Sequence, residues 1–258
     1  MGIDGGHDGS VPDGEAILLL HGFTNTHRSW ARLLAAGVAE RFAVQAPDIR
    51  GHGAASAAVP VDLEAVLDDI DALAPQRCVL LGYSQGGRIA LHAALDPRMA
   101  GRVERLVLIG ASPGIADPAE RRDRRAADDA LADRLERMSV VEFAELWEAT
   151  PVLAGLPDEL AAHARRDRLE NTPGGLAAAL RGLGTGRLPS LWSRLGELTM
   201  PVTLVAGERD AKFTALAHEM AKLIPDARVE VVAGAGHQVH LEQPVALAAL
   251  LSGDPRQL

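Results

Sequence analysis

Six short apolar runs recur along the chain, at 16–20, 42–46, 78–82, 103–109, 202–206 and 228–232. The first reads Ala-Ile-Leu-Leu-Leu and the third opens Cys-Val-Leu-Leu, with no polar residue at alternate positions. A strand with one face in water alternates, so a run without alternation predicts a strand covered on both faces, as in a parallel sheet. Between the runs the spacing changes. Apolar residues at 63, 66, 67, 70 and 73 follow the helical period and predict a helix over 61–73. Helices are also predicted over 30–39, 88–95, 212–223 and 245–251. Strands alternating with helices predict an α/β chain, with a mostly parallel sheet and helices on both faces.

This rhythm stops near Gly114 and resumes near Pro189. The intervening residues carry Arg- and Ala-rich helical stretches, Trp147, and prolines at 118, 151, 157 and 173, with no convincing strand. The segment is too long for a bare loop and too helical for a linker. It is read as a helical cap insertion, 114–189, lying over the strand ends of a core formed by 1–113 and 190–258.

Composition narrows the class further. A chain of 258 residues is long enough for a sizeable core. Aromatic residues make up only 3%, so that core must be mostly Leu, Val and Ala. A formal charge of −9 argues against sequence-independent binding of nucleic acid, although local arginines could still receive a small anion. Cys78 is the single cysteine and sits in an apolar run, which predicts a small core residue rather than a reactive thiol. No run reaches the length of a membrane span. Residues 1–13 are Gly- and Asp-rich, lack the regions of a signal peptide and are expected to fray, so the cytoplasm is the expected location. Monomer and homo-oligomer both stay open.

The chemistry begins at Gly82-Tyr83-Ser84-Gln85-Gly86-Gly87, between the third apolar run and a predicted helix. G-x-S-x-G across a strand-to-helix turn presents the serine hydroxyl above the sheet edge and aims the helix N–H groups at the same spot. Such a serine needs a base and a group that orients the base, in the order Ser, acid, His, after late strands. Gly207-Glu208-Arg209-Asp210 and Gly234-Ala235-Gly236-His237 follow the last two runs. His237 is the expected base and Asp210 the acid, with Glu208 and His240 as competitors for the two roles. The oxyanion donors are expected to be the backbone N–H of Gln85 and, from the loop after the first strand, that of Phe23. His21, Asp48, Arg50 and His52 are read as residues that brace loops. This set fits hydrolysis of an ester, thioester or carbon–carbon bond through an acyl-enzyme. The histidines lack a metal-ligand spacing, and no phosphate loop or dinucleotide fingerprint occurs, so neither metal nor cofactor is expected.

Taken together, His21-Gly22-Phe23, 48–53, 82–87, 207–210 and 234–237 resemble the α/β-hydrolase fold superfamily over nearly the whole chain. A narrower resemblance lies in Asn171-Thr172-Pro173-Gly174-Gly175-Leu176, 180–186, Pro189-Ser190-Leu191-Trp192 and 236–242. These look like the 2-succinyl-6-hydroxy-2,4-cyclohexadiene-1-carboxylate synthase family of menaquinone biosynthesis. That resemblance implies a lyase that eliminates pyruvate from a small polycarboxylate, with Ser84 and His237 abstracting a proton. It also implies arginines for the carboxylates, at Arg88, Arg124 and Arg168, and a pocket wall completed by Tyr83 and Trp147. The competing expectation is that arginine runs on cap helices are solvated faces with i,i+4 partners such as Asp128, and that Trp147 is cap core.

Overall fold

All six apolar runs are strands of one sheet in the computed structural model, which describes residues 15–150 and 156–253. The expectation for residues 1–13 lies outside the described residues. The strands are β1 (Glu15–Leu20), β2 (Phe42–Gln45), β3 (Cys78–Tyr83), β4 (Val103–Ile109), β5 (Val202–Gly207) and β6 (Ala227–Val232). They lie in the order β2-β1-β3-β4-β5-β6, and every pairing is parallel. The absence of alternation has its cause here. Ile17, Leu19, Val79 and Leu81 enter one buried cluster, and Leu18, Leu20 and Leu80 enter the other, on the opposite face. The helices Leu63–Leu73, Gln85–Ala94 and Ala211–Ala221 supply Val66, Ile70, Ile89, Leu91 and Met220 to one cluster. Trp30, Leu33, Val239 and Leu247 cover the other face. Cys78 is fully buried, and burial pushes its thiol up to about 11, consistent with an inert core position.

Strand order and register position the site. The chain runs outward from β1 to β2, then returns to place β3 on the other side of β1. Loops leaving β1 and β3 therefore diverge and open a crevice at the carboxyl ends of the strands, where α/β sheets bind ligands. Leu20 pairs with Gly82, so those two loops start level. Gly207 pairs with Val232, so the loops after β5 and β6 also leave side by side.

The helix predicted over 30–39 is broken. A 3₁₀ turn, His27–Trp30, is capped by the Thr26 side chain and leads into short helical pieces ending at Arg41. Gly37 interrupts them at φ 104°. The apolar spacing required only that Trp30, Leu33 and Val38 face the sheet, and a kinked segment achieves that. Between β4 and β5 lie four described α-helices: Pro118–Leu135, Val140–Glu148, Asp158–Arg168 and Pro173–Leu183. Asp117, Ser139 and Thr172 cap three of them through side-chain acceptors. All but Asp158–Arg168 share a small core of Ala132, Leu135, Phe143, Leu176, Ala177 and Leu180, against which Phe23 and Trp147 pack. Among the described residues no helix is long and apolar enough to cross a membrane.

Candidate active site

Ser84 joins β3 to its helix at φ 52°, ψ −108°, a conformation that a residue with a side chain adopts only when its surroundings force it. Its N–H is tied to the Ile109 carbonyl at 2.8 Å. The following helix crosses β1 so closely that a Cβ at position 86 would strike the carbonyls of Leu20 and His21, which is why glycine stands there. Gln85 is the first residue of that helix, where a backbone N–H has no intrahelical acceptor. In the loop after β1, a Cβ at Gly22 would lie 2.7 Å from the Tyr83 ring, so glycine lets the segment carrying Phe23 close against the elbow.

Three distant segments meet at the serine. His237 Nε2 lies 3.3 Å from Ser84 Oγ, and its Nδ1 lies 2.6 Å from Asp210 Oδ2. With the carboxylate accepting from Nδ1–H, Nε2 carries the lone pair that faces the hydroxyl. Asp210 divides its oxygens: Oδ2 holds the imidazole, and Oδ1 accepts from the Phe213 N–H at 3.3 Å, capping the Ala211–Ala221 helix. The Phe213 and Tyr83 rings flank the imidazole at 4.6 and 5.3 Å between centroids. His237 and Asp210 are both nearly buried, which keeps water from competing for their hydrogen bond.

The two competitors have other work. Glu208 Oε2 accepts from the Gly234 N–H at 2.8 Å and braces the histidine loop from outside. His240 is buried against Tyr83 and Trp30, and burial, followed by the nearby His237, lowers its pKa to about 3. Glu242 was not singled out by sequence reasoning, yet it accepts from the N–H groups of Gly236 and Gln238, on both sides of His237, and pairs with Arg209. Its signal is a carboxylate placed one helical turn after Gln238. His21 accepts from Ile49 N–H at 2.9 Å through Nε2, while its Nδ1 meets the Gly22 carbonyl at 2.9 Å; both nitrogens are committed. Asp48 accepts from the N–H groups of His27 and Ala54, Arg50 pairs with Asp69, and His52 packs on His21 and Phe23.

The arginines separate by burial. Arg88, one turn into the elbow helix, is buried and donates from Nη1 to Thr185 Oγ1 at 2.5 Å; its Nε has no partner among the described residues. Burial, then the nearby Arg124, lowers its pKa to about 10, which leaves it charged at neutral pH. Arg168 is 2% exposed, pairs with Glu148 at 2.9 Å and reaches Thr24 Oγ1 at 3.5 Å, beside the Phe23 loop. Arg124 sits next to Arg88, but its Nε bonds Asp128 at 2.8 Å and its side chain is 48% exposed, the i,i+4 arrangement of a helix face. Tyr83 is enclosed between His237 and His240. Trp147 packs edge-on against Phe23 at 5.2 Å and lies against the small core of the helices between β4 and β5.

A family model described as the alpha/beta hydrolase family matches residues 17–250. The chain is 33% identical to a 2-succinyl-6-hydroxy-2,4-cyclohexadiene-1-carboxylate synthase of Salmonella schwarzengrund, covering 95% of this chain and 96% of that one. A Bacillus subtilis protein provisionally named for the same activity is 36% identical over 92% of this chain and 89% of its own length. The solved structure of MenH from S. aureus superposes with a TM-score of 0.87 at 31% identity, covering 93% of this chain and 92% of the other.

Proposed function

The chain belongs to the alpha/beta hydrolase family and, within it, to the 2-succinyl-6-hydroxy-2,4-cyclohexadiene-1-carboxylate synthases, and from that premise we propose that it is a carbon–oxygen lyase of menaquinone biosynthesis. Its substrate is 2-succinyl-5-enolpyruvyl-6-hydroxy-3-cyclohexene-1-carboxylate, and its products are pyruvate and the cyclohexadiene that gives the family its name. His237 Nε2 accepts the Ser84 proton, and the serine oxygen removes a ring proton. The N–H groups of Gln85 and Phe23 hold negative charge developing on a substrate oxygen. The ring C–O bond breaks, the enolpyruvyl group leaves, and the proton carried by His237 returns to the departing group as it becomes pyruvate. The ring proton ends on Ser84, restoring its hydroxyl, and no water is consumed.

One observation carries this reading beyond the fold: a Ser-His-Asp set in contact, with two buried guanidinium groups, Arg88 and Arg168, on elements that adjoin it. Burying a guanidinium is unfavourable unless an anion answers it; Glu148 answers Arg168, whereas Arg88 donates only to the neutral Thr185 hydroxyl and its Nε has no partner among the described residues, so it is Arg88 that calls for a substrate carboxylate. Arg88, Arg124 and Arg168 receive the substrate carboxylates, with Trp147 and Tyr83 as the wall. The test supplies the enolpyruvyl precursor to the purified protein and follows pyruvate with lactate dehydrogenase. Turnover that disappears in Ser84→Ala supports the reading. A folded protein that releases no pyruvate yet cleaves aryl esters with a burst would favour acyl-enzyme hydrolysis instead, which the serine–histidine contact alone would also serve.

A further inference from the structure

The loop after β1 does not keep its shape unaided. Gly22 to Asn25 form a tight turn, closed by the Asn25 N–H donating to the Gly22 carbonyl at 3.1 Å. Its third residue, Thr24, has φ 68°. A positive φ at that position marks a type II turn, where glycine or asparagine normally stands. Threonine is β-branched and disfavours it. Rotation about the Thr24 N–Cα bond turns Phe23, with its N–H, relative to the segment from Asn25 onward, so relaxing Thr24 to an ordinary φ would shift one against the other.

What holds the turn comes from the end of the helix Asp158–Arg168 and the connection that follows it, more than 140 residues later. Asn171 Nδ2 donates to the Thr24 carbonyl at 2.9 Å and also to the Arg168 carbonyl at 3.0 Å. Asn171 Oδ1 accepts from the Gly53 N–H at 3.0 Å, which tethers the clamp to the loop after β2. Asp167 takes the other end of the turn: Oδ2 accepts from Asn25 Nδ2 and from the Thr26 N–H, each at 3.1 Å, and Oδ1 accepts from the Thr26 hydroxyl. Both side chains are buried, so water does not substitute for either.

We propose that Asp167 and Asn171 are positioning residues for the oxyanion site: seated on the turn, they force Thr24 into the left-handed region and so aim the Phe23 N–H at the oxygen on which charge develops. The α/β core supplies the donor, and the insertion supplies its aim. This rests on the reading of Phe23 as an oxyanion donor. Neither residue touches the reacting atoms.

The experiment uses the full chain and two readouts: the rate at which a neutral alkyl fluorophosphonate labels Ser84, and kcat and KM for pyruvate release. Labelling needs the serine, the histidine and the oxyanion donors but no carboxylate-binding arginine. Asn171→Ala is expected to lower both the labelling rate and kcat by about tenfold or more, below the roughly 10²–10³ seen when an oxyanion donor is removed outright, with KM within about threefold. Glycine adopts φ 68° without a clamp, so in a Thr24→Gly background the same substitution should cost less than about threefold. An equal loss in both backgrounds would mean that Asn171 only holds the helices in place, and a loss confined to KM would mean a substrate contact; either overturns the proposal, as does no loss. If Asn171→Ala does not fold, Asp167→Asn, which keeps the shape but replaces an acceptor, takes its place with the same expectation. The underlying readings fail separately: wild-type protein that labels but releases no pyruvate sinks the lyase assignment alone, and labelling that persists in Ser84→Ala sinks the triad.

Discussion

Asp210 is expected to show two separable losses, because its two oxygens do two jobs. Oδ2 meets His237 Nδ1 at 2.6 Å, and Oδ1 caps the Ala211–Ala221 helix through Phe213 N–H. Asparagine caps a helix about as well as aspartate, so Asp210→Asn should leave stability nearly unchanged. It should nonetheless lower kcat by about 10³- to 10⁴-fold, because an amide N–H facing Nδ1 selects the tautomer that turns a proton, not a lone pair, toward Ser84. Asp210→Ala should lose comparable activity and also the cap, about 1 kcal/mol, which for a chain of this size is about 2–4 °C in Tm. Glu208→Gln is the control. Its oxygen is 2.8 Å from Gly234 N–H and takes no part in the histidine contact, and the amide oxygen can still accept, so kcat should stay within about threefold. The assays are pyruvate release under saturating substrate and thermal unfolding monitored by circular dichroism. If Asp210→Asn kept more than about a tenth of kcat, or if Glu208→Gln fell as far as Asp210→Asn, the assignment of the acid would be wrong.

Three further outcomes follow from the same geometry. Arg88→Met preserves much of the buried volume and removes the charge; it should raise KM for the carboxylated substrate by about tenfold or more, while turnover of a neutral aryl ester stays within about threefold, and equal effects on both would refute a carboxylate role. Ser84→Gly and Ser84→Ala should both be inactive, but the glycine variant should be the more stable by about 1 kcal/mol, since relief of roughly 1–3 kcal/mol of backbone strain exceeds glycine's entropic cost of about 0.5–1 kcal/mol; equal melting temperatures would show that φ 52° is not strained. His240 is held neutral down to about pH 3 by burial, whereas in the unfolded chain it takes up a proton below about pH 6.5. Its contribution is therefore intact above pH 6.5 and is lost as pH falls from there toward 3, reaching about 2 kcal/mol at pH 5. His240→Phe keeps a ring against Trp30 and Tyr83, and denaturant melts should show a drop from pH 7 to pH 5 that is shallower by about that amount; an unchanged drop would place the acid sensitivity elsewhere.

Local pattern carried the six strands, the elbow glycines and the chain order Ser84, Asp210, His237. Each is written within a few neighbouring residues: a two-sided apolar run, a turn that tolerates no Cβ, a polar residue directly after a strand. What remained open were choices between residues two or three positions apart. Glu208 and Asp210 differ only in which one the Gly207–Val232 register turns toward the imidazole, and His240 differs from His237 only in which face of a short turn it occupies. The arginines depended on helix facing, so Arg168 ended buried on Thr24 and Glu148 while Arg124 remained half exposed on Asp128. The break at Gly37 and the brace of Glu242 are each marked by no more than one residue, a glycine inside a helical run and a carboxylate one turn after Gln238, and the clamp of Asp167 and Asn171 had no local signature at all. Periodicity reports which side of an element is buried, but not which partner from a distant part of the chain arrives to meet it; those pairings are settled by long-range packing, and only the folded chain contains them.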